Sequence, residues 1–251
     1  MDTKARESAV TETLGFGMLL ASVGGFMDAY SYIVRGNVFA TGQTGNLVLV
    51  AVGLAQGNIR GMLDPLVPIL AFGIGNLAAW HLFYSRSREN MLVYQRRILV
   101  CSILSLFVAG LIPGTWSHVI ANTLIAIASS LHYTAFRKFG PSENYSCIFS
   151  TGNLRSCADH LYKGILRKDK ASLTKAFRYA CILLSFLAGA AAGGLASGVL
   201  YEKAIWLVLV VLATALALTY VLAHGTALPG NREQREQGLI QVAHGQPTHR
   251  I

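Results

Sequence analysis

The sequence predicts an all-α polytopic membrane protein: six transmembrane helices arranged as two inverted three-helix repeats, each carrying a short re-entrant helix. Three observations predict it. The composition is 53% hydrophobic and only 13% charged, with a mean hydropathy of +0.47, which does not describe a soluble domain of 251 residues. Six apolar stretches approach the roughly 20 residues that a helix needs to cross a bilayer. Finally, Thr44-Gly45-Asn46-Leu47 returns as Thr151-Gly152-Asn153-Leu154, each copy just beyond an apolar stretch.

The six stretches run from Leu14 to Val34, Leu66 to Tyr84, Ile98 to Ile112, Val119 to Phe136, Thr174 to Leu200 and Ala204 to Ala223. The first is read as a retained helix and not a cleaved leader, because Asp2, Glu7 and Glu12 flank it and Asp28 interrupts its far end. Leu47 to Leu54 is an apolar run inside the first motif connection, and left in water it would be an exposed patch. The helix from Asn46 to Gln56 is too short to span, so it is expected to re-enter the protein at membrane depth. Its lead-in, Ala40 to Gly45, is expected to be non-helical. The second copy, Asn153 to Leu166, is more polar and is expected to penetrate less deeply or to lie along the interface. Gly189, Gly193, Gly194 and Gly198 give small-xxx-small spacings in the fifth stretch, a device for close packing between halves or between subunits of a homo-oligomer.

The net charge of +9 bears on topology. With both termini cytoplasmic, 18 of the 21 basic residues fall on the inner side, and only Arg35, Arg60 and Lys203 fall outside. That distribution reads as orientation and contact with anionic membrane lipid, and no nucleic-acid partner is expected. Three spans per half is an odd number, so the second copy inserts upside down. The expected organisation is a cytoplasmic N-terminus (1–13), a first repeat (14–113), a second repeat (114–223) and a disordered cytoplasmic tail (224–251). Within the halves, Ile69-Leu70-Ala71-Phe72 with Gly75 resembles Leu183-Leu184-Ser185-Phe186 with Gly189. Cys101, Cys147, Cys157 and Cys181 form no CxxC pair, so neither a disulfide nor a metal site is expected.

Thr-Gly-Asn before a helix has a mechanical meaning, since Thr44 or Asn46 can cap the first turn and Gly45 permits an unusual backbone angle. Its repetition on opposite faces has a second meaning. Two re-entrant helices entering from opposite sides would aim their positive N-terminal ends at one centre, favouring an anion or a carbonyl-bearing solute. The expected substrate-binding residues are Asp28, Thr41, Gln43, Thr44, Gly45, Asn46, His132, Thr151, Gly152 and Asn153. Asp28 reads either as a proton or cation site or as an acid paired with Arg35 or held by a hydroxyl, since charge inside an apolar helix is costly. Asn76 and Asn122 are expected to bond across helices.

Gly24-Gly25-Phe26-Met27-Asp28-Ala29-Tyr30-Ser31-Tyr32, followed by Val38-Phe39 and Gln43-Thr44-Gly45-Asn46-Leu47, resembles the YoaK-like family of bacterial inner-membrane proteins with a domain of unknown function. The resemblance covers about Leu14 to Ala223 and implies a bacterial inner-membrane location, not an activity. The second half departs from the family pattern at Ser130-Leu131-His132-Tyr133-Thr134 and at Cys147-Ile148-Phe149-Ser150-Thr151-Gly152.

The expected function is a small-solute channel or secondary transporter with a central site made by the two motifs. The alternative is a non-transporting membrane binding or stress-response protein that docks a partner or lipid through its basic cytoplasmic segment. No Walker, HExxH or GxSxG motif is present, so no enzyme activity and no cofactor are expected.

Overall fold

The computed structural model describes residues 10–84, 91–139, 143–147 and 150–225. Residues 1–9 of the expected N-terminal segment, loop residues Arg86 and Arg88, and all but the first two residues of the expected tail (224–251) lie outside the described residues.

Helix α1 (Leu14–Val34) has the expected bounds. Thr13 caps it, its Oγ1 accepting from the Phe16 N–H at 3.3 Å. It ends in a Schellman turn: Gly36 takes a φ of +87° and the Asn37 N–H donates to the Tyr32 carbonyl at 3.1 Å. Helix α2 (Gln43–Ala55) has 13 residues and, at about 1.5 Å per residue, is too short to cross a bilayer. It begins three residues earlier than expected, so Gln43, Thr44 and Gly45 belong to its first turn and not to a non-helical lead-in. A second such turn at Gly57 (φ +65°) reverses the chain, and Asn58 caps helix α3 (Ile59–Tyr84) by accepting from the Gly61 N–H at 2.9 Å.

Helix α3 starts well before the expected Leu66, because Pro65 and Pro68 are absorbed inside it and buried. Each proline lacks a donor and costs one helical bond, which reads in sequence as a break. Helix α4 (Met91–Leu111) begins seven residues before the expected Ile98. Its polar start is used against neighbours: Gln95 Nε2 donates to the Ala135 carbonyl at 3.1 Å, and the Arg96 guanidinium bonds Thr219 and lies 3.8 Å from the Tyr220 ring centroid. Helix α5 (His118–Ala135) follows the expected fourth stretch within one residue at each end.

Beyond α5, a two-residue antiparallel ladder pairs β1 (Lys138–Phe139) with β2 (Glu143–Asn144). Helix α6 (Ser150–Leu166) is amphipathic, exposing Leu154, Leu161 and Ile165 beside Arg155 and Lys163. Asp169 caps the 31-residue helix α7 (Lys170–Leu200), accepting from the Ala171 N–H at 3.0 Å. A 3-10 turn, Tyr201–Ile205, with Tyr201 at φ +50°, joins it to helix α8 (Trp206–Gly225).

Four stretches are long and apolar enough to cross a membrane: α1, α3, α4, and the run Lys170–Val221 that contains α7 and most of α8. Helix α5 falls short of that standard because it carries Asn122, Ser129, Ser130 and His132, all buried inside the protein. The chain is therefore an all-helical membrane protein apart from its short ladder.

Helix α1 packs chiefly on α7 and α3 on α5, while α2 lies on α3 and α6 on α7. Glycine makes the long crossings close. A Cβ on Gly189 would sit 1.9 Å from the Ser22 carbonyl oxygen, and one on Gly25 would sit 2.0 Å from that of Phe186. Gly189 and Gly193 thus meet the α1 backbone within the same chain and Gly194 meets the Ile33 side chain, whereas Gly198 faces open space.

Candidate functional site

The first motif is organised around two side chains. Asp28, two turns before the end of α1, accepts through Oδ1 from the backbone N–H groups of Thr41 (2.9 Å) and Gly42 (3.1 Å). Gly42 is the N-cap of α2, so the carboxylate sits at that helix's positive end. Asp28 is therefore not paired with Arg35. The favourable place for an anion at this helix end is taken by the chain's own acid.

Asn46 faces back into the lead-in. Its Oδ1 accepts from the Phe39 N–H at 3.0 Å, and its Nδ2 donates to the Phe39 carbonyl and to Gln43 Oε1. Gln43 Nε2 in turn donates to the Ala40 carbonyl at 3.0 Å. The side-chain amide thus behaves like a peptide group and ties the first turn of α2 to the irregular segment before it.

The second motif repeats the clamp. Asn153 Oδ1 accepts from the Ser146 N–H at 3.1 Å, and Nδ2 donates to the Ser146 carbonyl at 2.7 Å. Both asparagines reach back seven residues, and both are buried. The threonines do not share this role, since Thr44 and Thr151 are exposed. Gly45 is tight against the Phe39 ring, 2.9 Å from where a Cβ would stand, whereas nothing lies within 4 Å of the same position at Gly152.

Asp28, Thr41, Gln43 and Asn46 therefore form one cluster. No hydrogen bond or ring contact among the described residues joins it to His132, Thr151 or Asn153. His132 is fully buried in α5 and edge-on to Phe136 at 6.1 Å, with neither ring nitrogen hydrogen-bonded. Near it in sequence, Cys147 and Tyr145 are buried in the connection before α6. Burial pushes the Cys147 thiol up to about 12 and raises the Tyr145 phenol well above its ordinary value. The thiolate fraction then stays small from pH 7 to pH 10, so maleimide should label Cys147 only after unfolding. Mass spectrometry of native and denatured protein checks this, and rapid labelling of the native protein at pH 8 would contradict it.

Arg35 was not among the expected site residues, yet it is fully buried. Its Nε donates to Tyr30 Oη at 2.9 Å, and its Nη2 donates to the carbonyls of Ala109 (3.0 Å) and Ile112 (2.9 Å). Asn122 Nδ2 donates to the Arg35 carbonyl at 2.8 Å, and Thr134 Oγ1 to Asn76 Oδ1 at 2.6 Å, so both asparagines bond across helices as expected. Tyr30 also donates to the Glu202 carbonyl at 2.9 Å, which links the end of α1 to the turn after α7.

Two of the cavities lie at the ends of the long helices. One, of about 360 Å³, is lined by Glu12, Trp80, Tyr94, Gln95, Ala135 and Phe136 among others. The other, of about 730 Å³, is lined by Val34, Leu111, His118, Ser197, Tyr201 and Glu202 among others. Helices α4 and α5 each place one end in the first cavity and the opposite end in the second, and α1 has its lead-in at the first and its last turn at the second. At about 1.5 Å per residue, that separates the cavities by about 30 Å, the thickness of a bilayer core.

The comparison with known families gives one match. Residues 16–218 match the family described as "Protein of unknown function (DUF1275)". The chain belongs to that family. The match runs from within α1 to most of α8, so both motif clamps fall within the domain, while Thr11 and Glu12 of the first cavity lie before it. No curated protein and no solved structure matches the chain.

Proposed function

We propose that this DUF1275 member is a small-solute channel or secondary transporter of the bacterial inner membrane, built as two inverted repeats, 14–113 and 114–223, with both termini cytoplasmic. The observation that carries this reading is the pair of cavities at opposite ends of the helices. Taking α1 with α5, α2 with α6, α3 with α7 and α4 with α8, corresponding elements of the two halves build the two cavities. The first takes the lead-in to α1 with the ends of α3 and α5, and the second takes the lead-in to α5 with the ends of α7 and α1. Exchange of the halves likewise turns the α1–α7 packing into the α5–α3 packing, and the Asn46 clamp into the Asn153 clamp. A chain of this kind exposes one cavity at a time as the halves rock.

The proposed solute route runs between the cavities, past the Asp28 cluster and His132, while the motif asparagines hold the short helices in place. Asp28 occupies the end of α2 that would have received an anion, so the proposal keeps the transport class and drops the preference for an anion there. Flux into liposomes holding only this protein tests it. Solute entry is expected, and Asp28→Asn is expected to change its pH dependence, because the variant removes the only titrating group of that cluster. Absence of flux for a broad solute panel would leave the second reading, a membrane protein that docks a partner or lipid. The amphipathic basic face of α6 is the observation that favours that reading.

A further inference from the structure

The two short helices end in hairpins of the same build but different charge. A Cβ on Gly53 of α2 would sit 2.6 Å from the Met62 nitrogen of α3, and one on Gly164 of α6 would sit 2.4 Å from the Leu173 side chain of α7. Each hairpin then reverses at a residue of positive φ, Gly57 (+65°) or Lys168 (+54°), and the next residue, Asn58 or Asp169, caps the long helix that follows. Glycine takes that backbone angle freely, whereas lysine is strained there. From Gln43 to Gly57 the first hairpin holds no charged residue, and Arg60 beyond it pairs with Asp64 at 3.9 Å. The second hairpin exposes Lys163, Arg167, Lys168 and Lys170, and no ion pair among the described residues engages these four. The neighbouring acids are Asp159, 3.9 Å from Arg155, and Asp169, whose carboxylate accepts from the Ala171 N–H and the Ser172 hydroxyl. Four cations against the single Asp169 carboxylate leave the hairpin tip a surplus of three positive charges.

Helix α6 has three faces at 3.6 residues per turn. Asn153, Cys157, His160 and Gly164 form the face on α7, where the Cys157 thiol donates to the Ala176 carbonyl at 3.5 Å and His160 stacks on Tyr179 at 5.9 Å. Leu154, Ala158, Leu161 and Ile165 form an exposed apolar face, with Tyr162 and Leu166 at its edge. Arg155, Asp159 and Lys163 form a charged face that leads to Arg167 and Lys168. Such a helix lies in the membrane surface, its apolar face among acyl chains and its charged face among headgroups. We infer that the α6–α7 hairpin is a binding surface for anionic phospholipid, with Lys163, Arg167, Lys168 and Lys170 at the phosphates and the apolar face of α6 on the chains. A zwitterionic lipid offers the same chains without a net charge to match the surplus. A soluble anion offers the charge and leaves the apolar face uncovered. The inference goes beyond the transport reading and does not rest on it, because lipid preference is read without any solute.

A fluorophore on Leu166→Cys, in the full chain without its four native cysteines, tests this in phosphatidylcholine nanodiscs. A small fraction of the lipid is replaced by phosphatidylglycerol or phosphatidylcholine with brominated chains, which quench on contact. Phosphatidylglycerol is expected to quench position 166 about threefold more strongly than phosphatidylcholine does. At position 54 of α2, labelled through the exposed Leu54→Cys, the two lipids are expected to quench equally. Lys168→Gly is expected to lower the preference about twofold and to raise the melting temperature, because glycine suits the +54° backbone. A lysine that served the turn alone would give the higher melting temperature with the preference unchanged. Equal quenching by the two lipids at position 166 would overturn the inference and leave the basic face to a protein partner. An unchanged preference in Lys168→Gly would also overturn it. So would loss of the preference in inorganic phosphate but not in chloride of equal ionic strength, which would make the surface a site for a soluble anion.

Discussion

Gly189→Val is expected to destabilise the protein by about 3 kcal/mol or more, the upper end of the range for overpacking. The new Cβ would stand 1.9 Å from the Ser22 carbonyl oxygen, a backbone atom of α1 that no rotamer change moves aside. Gly25 meets α7 in the same way from the other side, so the two helices touch backbone to backbone. Relief would require them to separate, and with them the long contact that joins the first half of the chain to the second. Gly198→Val is the control, because nothing lies within 4 Å of its Cβ position, and its cost is expected to stay within roughly 0.5 kcal/mol. Thermal unfolding of both variants in detergent checks the contrast. Equal melting temperatures would mean that the α1–α7 crossing is looser than described.

Asn46→Ala and Asn153→Ala are each expected to cost about 2 to 4 kcal/mol, because each strips a backbone N–H and a carbonyl of their partners. The orphaned groups are those of Phe39 and Ser146. The two clamps share no partner, so the double variant should show nearly additive loss. Chemical denaturation in mixed micelles measures the free energies. Variants that fold with unchanged stability would assign the asparagines to solute and not to the fold, restoring the central two-motif site that the sequence alone suggests.

The extent of the helices was legible because hydrophobic runs carry it, and where it was not, polar residues or prolines hid a continuing helix. Pro65 and Pro68 look like a boundary until their burial in α3 is known. Gln95 and Arg96 look like loop residues until Ala135 and Thr219 are known to receive them. The candidate site was legible in part. Asp28 stands out as a charge in an apolar helix, and the recurrence of Thr-Gly-Asn singles out Asn46 and Asn153. Their roles were not legible, because the partners are backbone groups of Phe39 and Ser146, which leave no side-chain pattern. Arg35 was read as a loop charge because its partners, the carbonyls of Ala109 and Ile112, lie more than 70 residues away. The Gln95 cavity is assembled from four separate segments, and no local motif marks it.

The central claim is that the two halves are inverted across the membrane, and cysteine accessibility at positions 44 and 151 tests it most directly. Both threonines are exposed, so each substitution presents a reactive thiol with little cost to the fold. In a background without the four native cysteines, impermeant reagents would be applied from each side separately. The account predicts that position 44 reacts only from outside and position 151 only from inside. Reaction of both from the same face would contradict it.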